Sequence, residues 1–233
     1  MIESLRNKFV KERFDLQEIL LVPVFATVLA LLIGCFFLLA TGESFANIFV
    51  AYSSLFIGSL GSLNAISETF TAATPLVFAA LGIALAFRAG LFNIGAEGQM
   101  IIGGLATVIV GFSIDFLPIW IHLPLALSIG ALFGALYAAI AGWLKAYTGA
   151  HEVISTIMLN LIALRLLDYV LRSPIIQKEG RNDPISKSIL DSAELPQILA
   201  FIDPQLRLHG GFLLMLAAVF FIYWLLFHTT IGY

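Results

Sequence analysis

Charge is what this 233-residue chain has least of. Only 12% of its residues are Asp, Glu, Lys or Arg, where a water-soluble domain carries about 25%. So few charges leave too little polar surface to cover a soluble globule of this size. The net charge of −3 offers no basic face to a nucleic acid. A single cysteine, Cys35, excludes an internal disulfide; it stands within an apolar run and reads as a small hydrophobe. No phosphate-binding GxxxxGK[ST] loop occurs, and Gly95-x-x-Gly98 is too short for a dinucleotide fingerprint. His151-Glu152 suggests a zinc helix, but HExxH requires a second histidine at the position of Ser155. These absences argue against an ATPase, a nucleotide-dependent oxidoreductase or a metalloprotease. An intramembrane serine protease lacks its glycine-flanked serine with a matching histidine on another span.

What the chain has is apolar sequence in long blocks: 60% of it is hydrophobic and its mean hydropathy is +1.00. The expected fold is all-α, a polytopic membrane helix bundle of about six transmembrane helices. The expected spans are 19–40, 68–88, 95–114, 120–144, 152–171 and 210–228. The first follows Arg6, Lys8, Lys11 and Arg13 and runs for about 22 residues, longer than a signal-peptide core. Residues 1–18 are therefore expected to be a cytoplasmic N-terminus, and 19–233 a transmembrane domain. Residues 41–67 fit either a loop or a helix lying on or dipping into the membrane. The long polar stretch 172–209, with Pro174, Pro184, Pro196 and Pro204, is expected to be an extracytoplasmic loop or cap. It carries five Lys/Arg, a mild conflict with the positive-inside rule, which long translocated segments obey poorly. Ala126, Gly130, Gly134, Ala138 and Gly142 recur every four residues, as do Gly82, Ala86 and Gly90; such small-residue faces let membrane helices approach closely.

The stretch Phe87–Gly104, FRAGLFNIGAEGQMIIGG, is chemically unusual. Arg88, Asn93, Glu97 and Gln99 lie among five glycines between two apolar spans. Polar groups at such depth are costly unless they face water or partners, and a broken helix builds a polar site there; a tight cytoplasmic turn fits equally. Ser155, Thr156 and Asn160 share a face of the fifth span, where they can bond a neighbouring helix. Arg165 and Asp168 are spaced to pair. Asn93, Glu97, Gln99 and Asn160 are the candidate pathway residues, with no catalytic group and no metal site. On chemistry alone, a transporter subunit driven from elsewhere and an ion-coupled secondary transporter or channel both remain open.

Two runs carry a resemblance: TPLVFAALGIALAFRAGLFNIGAEGQMIIGG, Thr74–Gly104, and GAHEVISTIMLNLIA, Gly149–Ala163. They closely resemble the inner-membrane permease family of bacterial ABC importers for nucleosides and simple sugars, and GLFNIGAEGQ is most similar to its nucleoside branch. Loose similarity extends over most of the chain from about residue 20. The resemblance implies a multi-pass protein of the bacterial inner membrane that is not itself an enzyme and holds no cofactor, ATP being bound by a partner. The partners implied are a second permease subunit, a cytoplasmic ATP-binding-cassette ATPase, and an extracytoplasmic binding protein or lipoprotein, within membrane lipid and without nucleic acid. Such permeases usually continue beyond 300 residues into an ATPase-coupling segment, so the chain is expected to be C-terminally truncated.

Overall fold

A computed structural model describes residues 2–230, with side chains from Leu20 onward. Seven α-helices account for most of them: α1 Ile2–Ala40, α2 Phe45–Leu60, α3 Leu63–Arg88, α4 Ala96–Ser113, α5 Ile119–Thr148, α6 Glu152–Leu171 and α7 Gly211–His228. Six contain a stretch long and apolar enough to cross a membrane; in α1 it is Leu20–Ala40. The expected spans match these helices to within a few residues, apart from α3, which begins earlier, and α5, which ends later. The open region 41–67 resolves into α2, 16 residues and apolar, followed by the first turns of α3.

The chain divides into two compact units, residues 1–65 and 66–233. In the first, Gly42 takes a left-handed φ of +93° in the turn after α1. The Ser44 hydroxyl then caps α2 by accepting the Asn47 N–H at 3.2 Å. The Tyr52 hydroxyl ties the two helices by donating to Leu31 O at 2.6 Å.

The second unit is arranged opposite to a soluble domain. Its buried apolar residues are mostly small or medium-sized, among them Ala106, Ala126, Ala141 and Ala163, while Leu132, Phe133, Trp143, Leu161, Phe220 and Trp224 are exposed. Its largest fully buried side chains are polar, His122 and Ser67. Lipid is as apolar as leucine, so burying large side chains gains little; close packing and internal hydrogen bonds hold the helices together. The α4–α5 pair has the most extensive contact, followed by α4–α6 and α5–α6. Gly103 and Gly130 set the α4–α5 distance: a Cβ on Gly103 would lie 2.8 Å from Gly130 O, and one on Gly130 would overlap the Thr107 hydroxyl. The α5 stripe therefore does what its spacing implies at Ala126, Gly130 and Gly134. Ala138 and Gly142, further along it, line a small cavity instead.

Helix α3 stands off from α4 and α5 and is tied elsewhere. Ser67 Oγ accepts the Leu208 N–H at 3.0 Å. Glu68 approaches Arg207 at 3.6 Å, and Phe70 packs on Phe212 at the start of α7. At its other end the Arg88 guanidinium lies 5.8 Å from the centre of the Phe227 ring, near the end of α7.

Residues 172–210 form an irregular cap with one 3-10 turn, Asp191–Ala193. Leu190 N–H donates to Gly111 O at the end of α4, at 2.9 Å. His122, in the first turn of α5, is wholly buried, with Nε2 3.0 Å from Val110 O and Nδ1 2.8 Å from Ser192 Oγ. A carbonyl only accepts, so Nε2 carries the proton and a neutral ring accepts from Ser192 at Nδ1. His122→Leu is expected to lower stability by about 1–3 kcal/mol, because Val110 O and the Ser192 hydroxyl, both partly buried, lose their partner; thermal unfolding in detergent checks this. On the cap surface, the Arg181 guanidinium bonded to Asp183 at 2.7 and 2.8 Å holds that carboxyl below its usual range. Asp168 pairs with Arg172 at 3.0 Å rather than with Arg165: Arg172 is four residues on, one helical turn away, and its fork reaches both carboxylate oxygens.

Candidate functional site

The unusual stretch is a break between α3 and α4. Helix α3 ends at Arg88, and Gly90 adopts a left-handed φ of +73°, which L side chains rarely tolerate. Leu91 N–H reaches back to Ala86 O at 2.9 Å, closing the helix end. The chain then runs without helix from Leu91 to Ile94 and re-enters helix at Ala96. Breaking a membrane helix exposes the carbonyls of one half and the N–H groups of the other, and something must satisfy them.

Helix α6 does so with residues four apart, on one face. Asn160 brackets the break: its Oδ1 accepts the Gly98 N–H at 2.9 Å and its Nδ2 donates to Ile94 O at 3.0 Å. One turn earlier, Thr156 Oγ1 lies 3.4 Å from Ile94 N, a long bond. Another turn earlier, Glu152 takes the Lys145 ammonium at 2.6 Å and approaches Phe92 N at 3.5 Å. Gly98 must be glycine for this to work, since a Cβ there would lie 2.9 Å from Asn160 Oδ1. The Tyr137 hydroxyl steadies the arrangement by donating to Leu159 O at 2.7 Å.

The break also orients a side chain. Asn93 Oδ1 accepts the Gly95 N–H at 2.8 Å and Gln99 Nε2 at 3.2 Å. The backbone donor fixes which end of the Asn93 amide is oxygen, and that in turn fixes the nitrogen of Gln99. Among the described residues, the Gln99 carbonyl oxygen and second N–H have no partner. It lines a cleft of about 510 Å³ between α3 and the α4–α5 pair, with Phe78 and Gly82 on α3, Gly104 and Thr107 on α4, and Ala131 on α5. The cleft wall is chiefly apolar with a few polar groups, the composition of small-molecule sites, and its volume lies within their usual range. A smaller cavity of about 190 Å³ lies behind the break, beside Phe92, Asn93, Glu152 and Thr156.

Three of the four candidate residues thus belong to one network: Asn93, Gln99 and Asn160. Glu97 does not. It is exposed on the first turn of α4 and makes no hydrogen bond or ion pair with the described residues. The Thr156 hydroxyl donates back to Glu152 O at 2.7 Å and still faces the break as an acceptor, whereas Ser155 bonds only to its own helix, at 3.2 and 3.4 Å. Lys145 and Glu152 complete the clamp. The signal that marks Glu152 is its spacing to Thr156 and Asn160, which continues the polar face by one turn toward the start of α6; Lys145, on α5, carries no such signal. Among the described residues no cluster of His, Cys, Asp or Glu is suited to hold a metal ion.

Broken helices that build a polar site among membrane spans are a device transport proteins use. The chain belongs to the family described as branched-chain amino acid transport system / permease component, which matches residues 65–233. It is 39% identical over 92% of its length to the guanosine ABC transporter permease protein NupP of Bacillus subtilis, of which it covers 60%. It is 33% identical over 91% of its length to the glucose ABC transporter permease protein TsgB13 of Haloferax volcanii, covering 56% of that protein. The nucleoside ABC transporter permease protein NupB of Lactococcus lactis is 40% identical over 66% of the chain and is covered for 41% of its own length. The chain therefore spans from under half to about three-fifths of the relatives it matches. No solved structure matches it.

Proposed function

We propose that this chain is a membrane-spanning permease subunit of an ATP-binding-cassette importer, and that its α3/α4–α5 cleft is part of the path of a nucleoside or simple sugar. The observation that carries this reading is the family match, joined by an oriented carboxamide, Gln99, on a cleft of solute size. Two relatives named for guanosine and nucleosides, at 39% and 40% identity, favour a nucleoside over the glucose of a third at 33%. The partners in this proposal are a second permease subunit, a separate ATPase subunit that binds and hydrolyses the ATP, and a binding protein or lipoprotein that delivers the solute. No cofactor is assigned to this chain. Family membership favours this reading over an ion-coupled carrier.

Orientation follows from charge. Arg88 and Lys145 sit at the end of the second unit that holds the helix break, and the 172–210 cap sits at the other. The positive-inside rule puts the break on the cytoplasmic side and the cap outside, and the basic residues before the Leu20–Ala40 stretch of α1 put the N-terminus inside as well. The bacterial inner membrane is the proposed location.

Within the site, Gln99 meets the solute, Asn93 orients Gln99, and Asn160 holds the break. Glu97, exposed and off the cleft, is proposed to line the continuation of the path or a subunit contact. Glu97→Ala is expected to lower solute uptake by the complete transporter severalfold at equal membrane abundance; undiminished uptake would reduce Glu97 to a surface residue. The proposal as a whole is tested by mild solubilisation of the complete transporter and affinity capture of this subunit. An ATPase bearing Walker motifs is expected to co-purify, and its repeated absence under conditions that preserve membrane complexes overturns the proposal.

A further inference from the structure

The five glycines that line the cleft fall into two kinds. Gly103, Gly130 and Gly134 are explained by packing, because a Cβ on any of them would press on the facing helix at 3.2 Å or closer. Gly82 on α3 and Gly104 on α4 have no such reason. Each is exposed within a continuous helix, and a Cβ on either would meet nothing within 4 Å. Neither has a left-handed backbone that would favour glycine. Glycine inside a helix is less stable than alanine, so a glycine without a packing or conformational role needs another explanation. What the two share is the cleft, which both of them line.

The cleft wall is consistent with this. Its polar members are Gln99 and Thr107 and its large ones include Phe78 and Met100, each about two-fifths exposed (41% and 42%). Flexible or aromatic side chains set at intervals among small residues leave flat wall between them. Side chains at Gly82 and Gly104 would occupy the open space itself, not the helix contacts.

We infer that Gly82 and Gly104 are specificity-determining residues that set the width of the solute cleft, keeping it open for a solute as bulky as a nucleoside. This rests on the reading that the cleft is part of the transport path. A permease that needed to pass only a single sugar ring could carry a side chain at either position without loss. The inference predicts an unusual pairing of effects. Small substitutions leave the fold intact or firmer and yet slow transport, and the slowing grows with side-chain volume.

The test uses the complete transporter in cells with no other nucleoside uptake, with radiolabelled guanosine as the probe. Alanine, valine and leucine are placed in turn at Gly82 and at Gly104. Gly58 on α2, which also has nothing within 4 Å and does not line this cleft, receives leucine as the control. Uptake at equal membrane abundance is expected to fall stepwise, by at least tenfold for Gly104→Leu and Gly82→Leu, with Gly58→Leu unchanged. Leucine variants that take up guanosine at the unsubstituted rate overturn the inference. Should a leucine variant fail to reach the membrane, Gly104→Cys supplies a second measurement. Its thiol is expected to react with a small maleimide and to be protected at least threefold by guanosine; unprotected labelling in a transporter that is taking up guanosine overturns the inference too. Failure of the underlying reading looks different: the unsubstituted transporter, supplied with its ATPase and binding protein, takes up neither nucleosides nor sugars.

Discussion

Gly130→Leu is expected to force α4 and α5 apart and to cost about 3 kcal/mol or more of stability, at the upper end of overpacking effects. Even a single methyl at this position overlaps the Thr107 hydroxyl and lies 3.0 Å from Gly103 O. Both neighbours belong to α4: Gly103 O is backbone, and the Thr107 hydroxyl can turn away only by giving up its 2.9 Å bond to that same carbonyl. The change acts on the most extensive helix pair of the second unit, which also forms one wall of the cleft. The expected readout is a markedly lower unfolding temperature in detergent, with loss of uptake. Gly82→Ala is the matched control in a neighbouring helix. It is expected to be neutral or stabilising by about 0.5–1 kcal/mol, the ordinary gain of alanine over glycine inside a helix. Equal melting of the Gly130 and Gly82 variants would show that the α4–α5 approach is not what holds this unit together.

The second large effect is expected at Asn160. Asn160→Leu removes the acceptor of the Gly98 N–H and the donor to Ile94 O in one step. Gly98 is buried, so its N–H left without a partner costs about 1–3 kcal/mol; Ile94 is exposed, and the loss at its carbonyl is smaller. The break should then loosen, and with it the Asn93–Gln99 pair that depends on the position of Gly95. Guanosine uptake is expected to fall more than tenfold, and protease or hydrogen-exchange protection of residues 91–98 to fall with it. Asn160→Asp keeps an acceptor for Gly98 but loses the donor to Ile94 O, and it adds a charge inside the membrane; its defect should not be smaller than that of leucine unless the carboxyl is protonated. A leucine variant with normal uptake and normal protection of 91–98 would remove Asn160 from the account.

The spans were legible because a window of 18 or more apolar residues is a composition-level signal that needs no tertiary information. Residues 41–67 were not, because the apolar residues of α2 are too few to cross a bilayer and are mixed with Ser and Gly. The break between α3 and α4 showed itself as glycines among polar residues. What satisfies it did not, because Asn160 reaches Gly98 across 62 residues of chain and a side chain bonding to backbone leaves no complementary residue to look for. Small-residue spacing was informative only in part. Gly82 and Gly130 look alike in sequence, and only the surroundings distinguish an open wall from a helix contact. The expected Arg165–Asp168 pair gave way to Asp168–Arg172 because Arg172, just past the end of α6, reaches both oxygens of the carboxylate.

The central claim is that this chain forms part of a solute path driven by ATP hydrolysed on another subunit. The most direct measurement is guanosine uptake into proteoliposomes holding the complete transporter and its binding protein, with ATP and the ion gradients controlled separately. The account predicts uptake that requires ATP on the side of the helix break and persists when proton and sodium gradients are collapsed. Uptake that proceeds without ATP and stops on collapse of a gradient would contradict it.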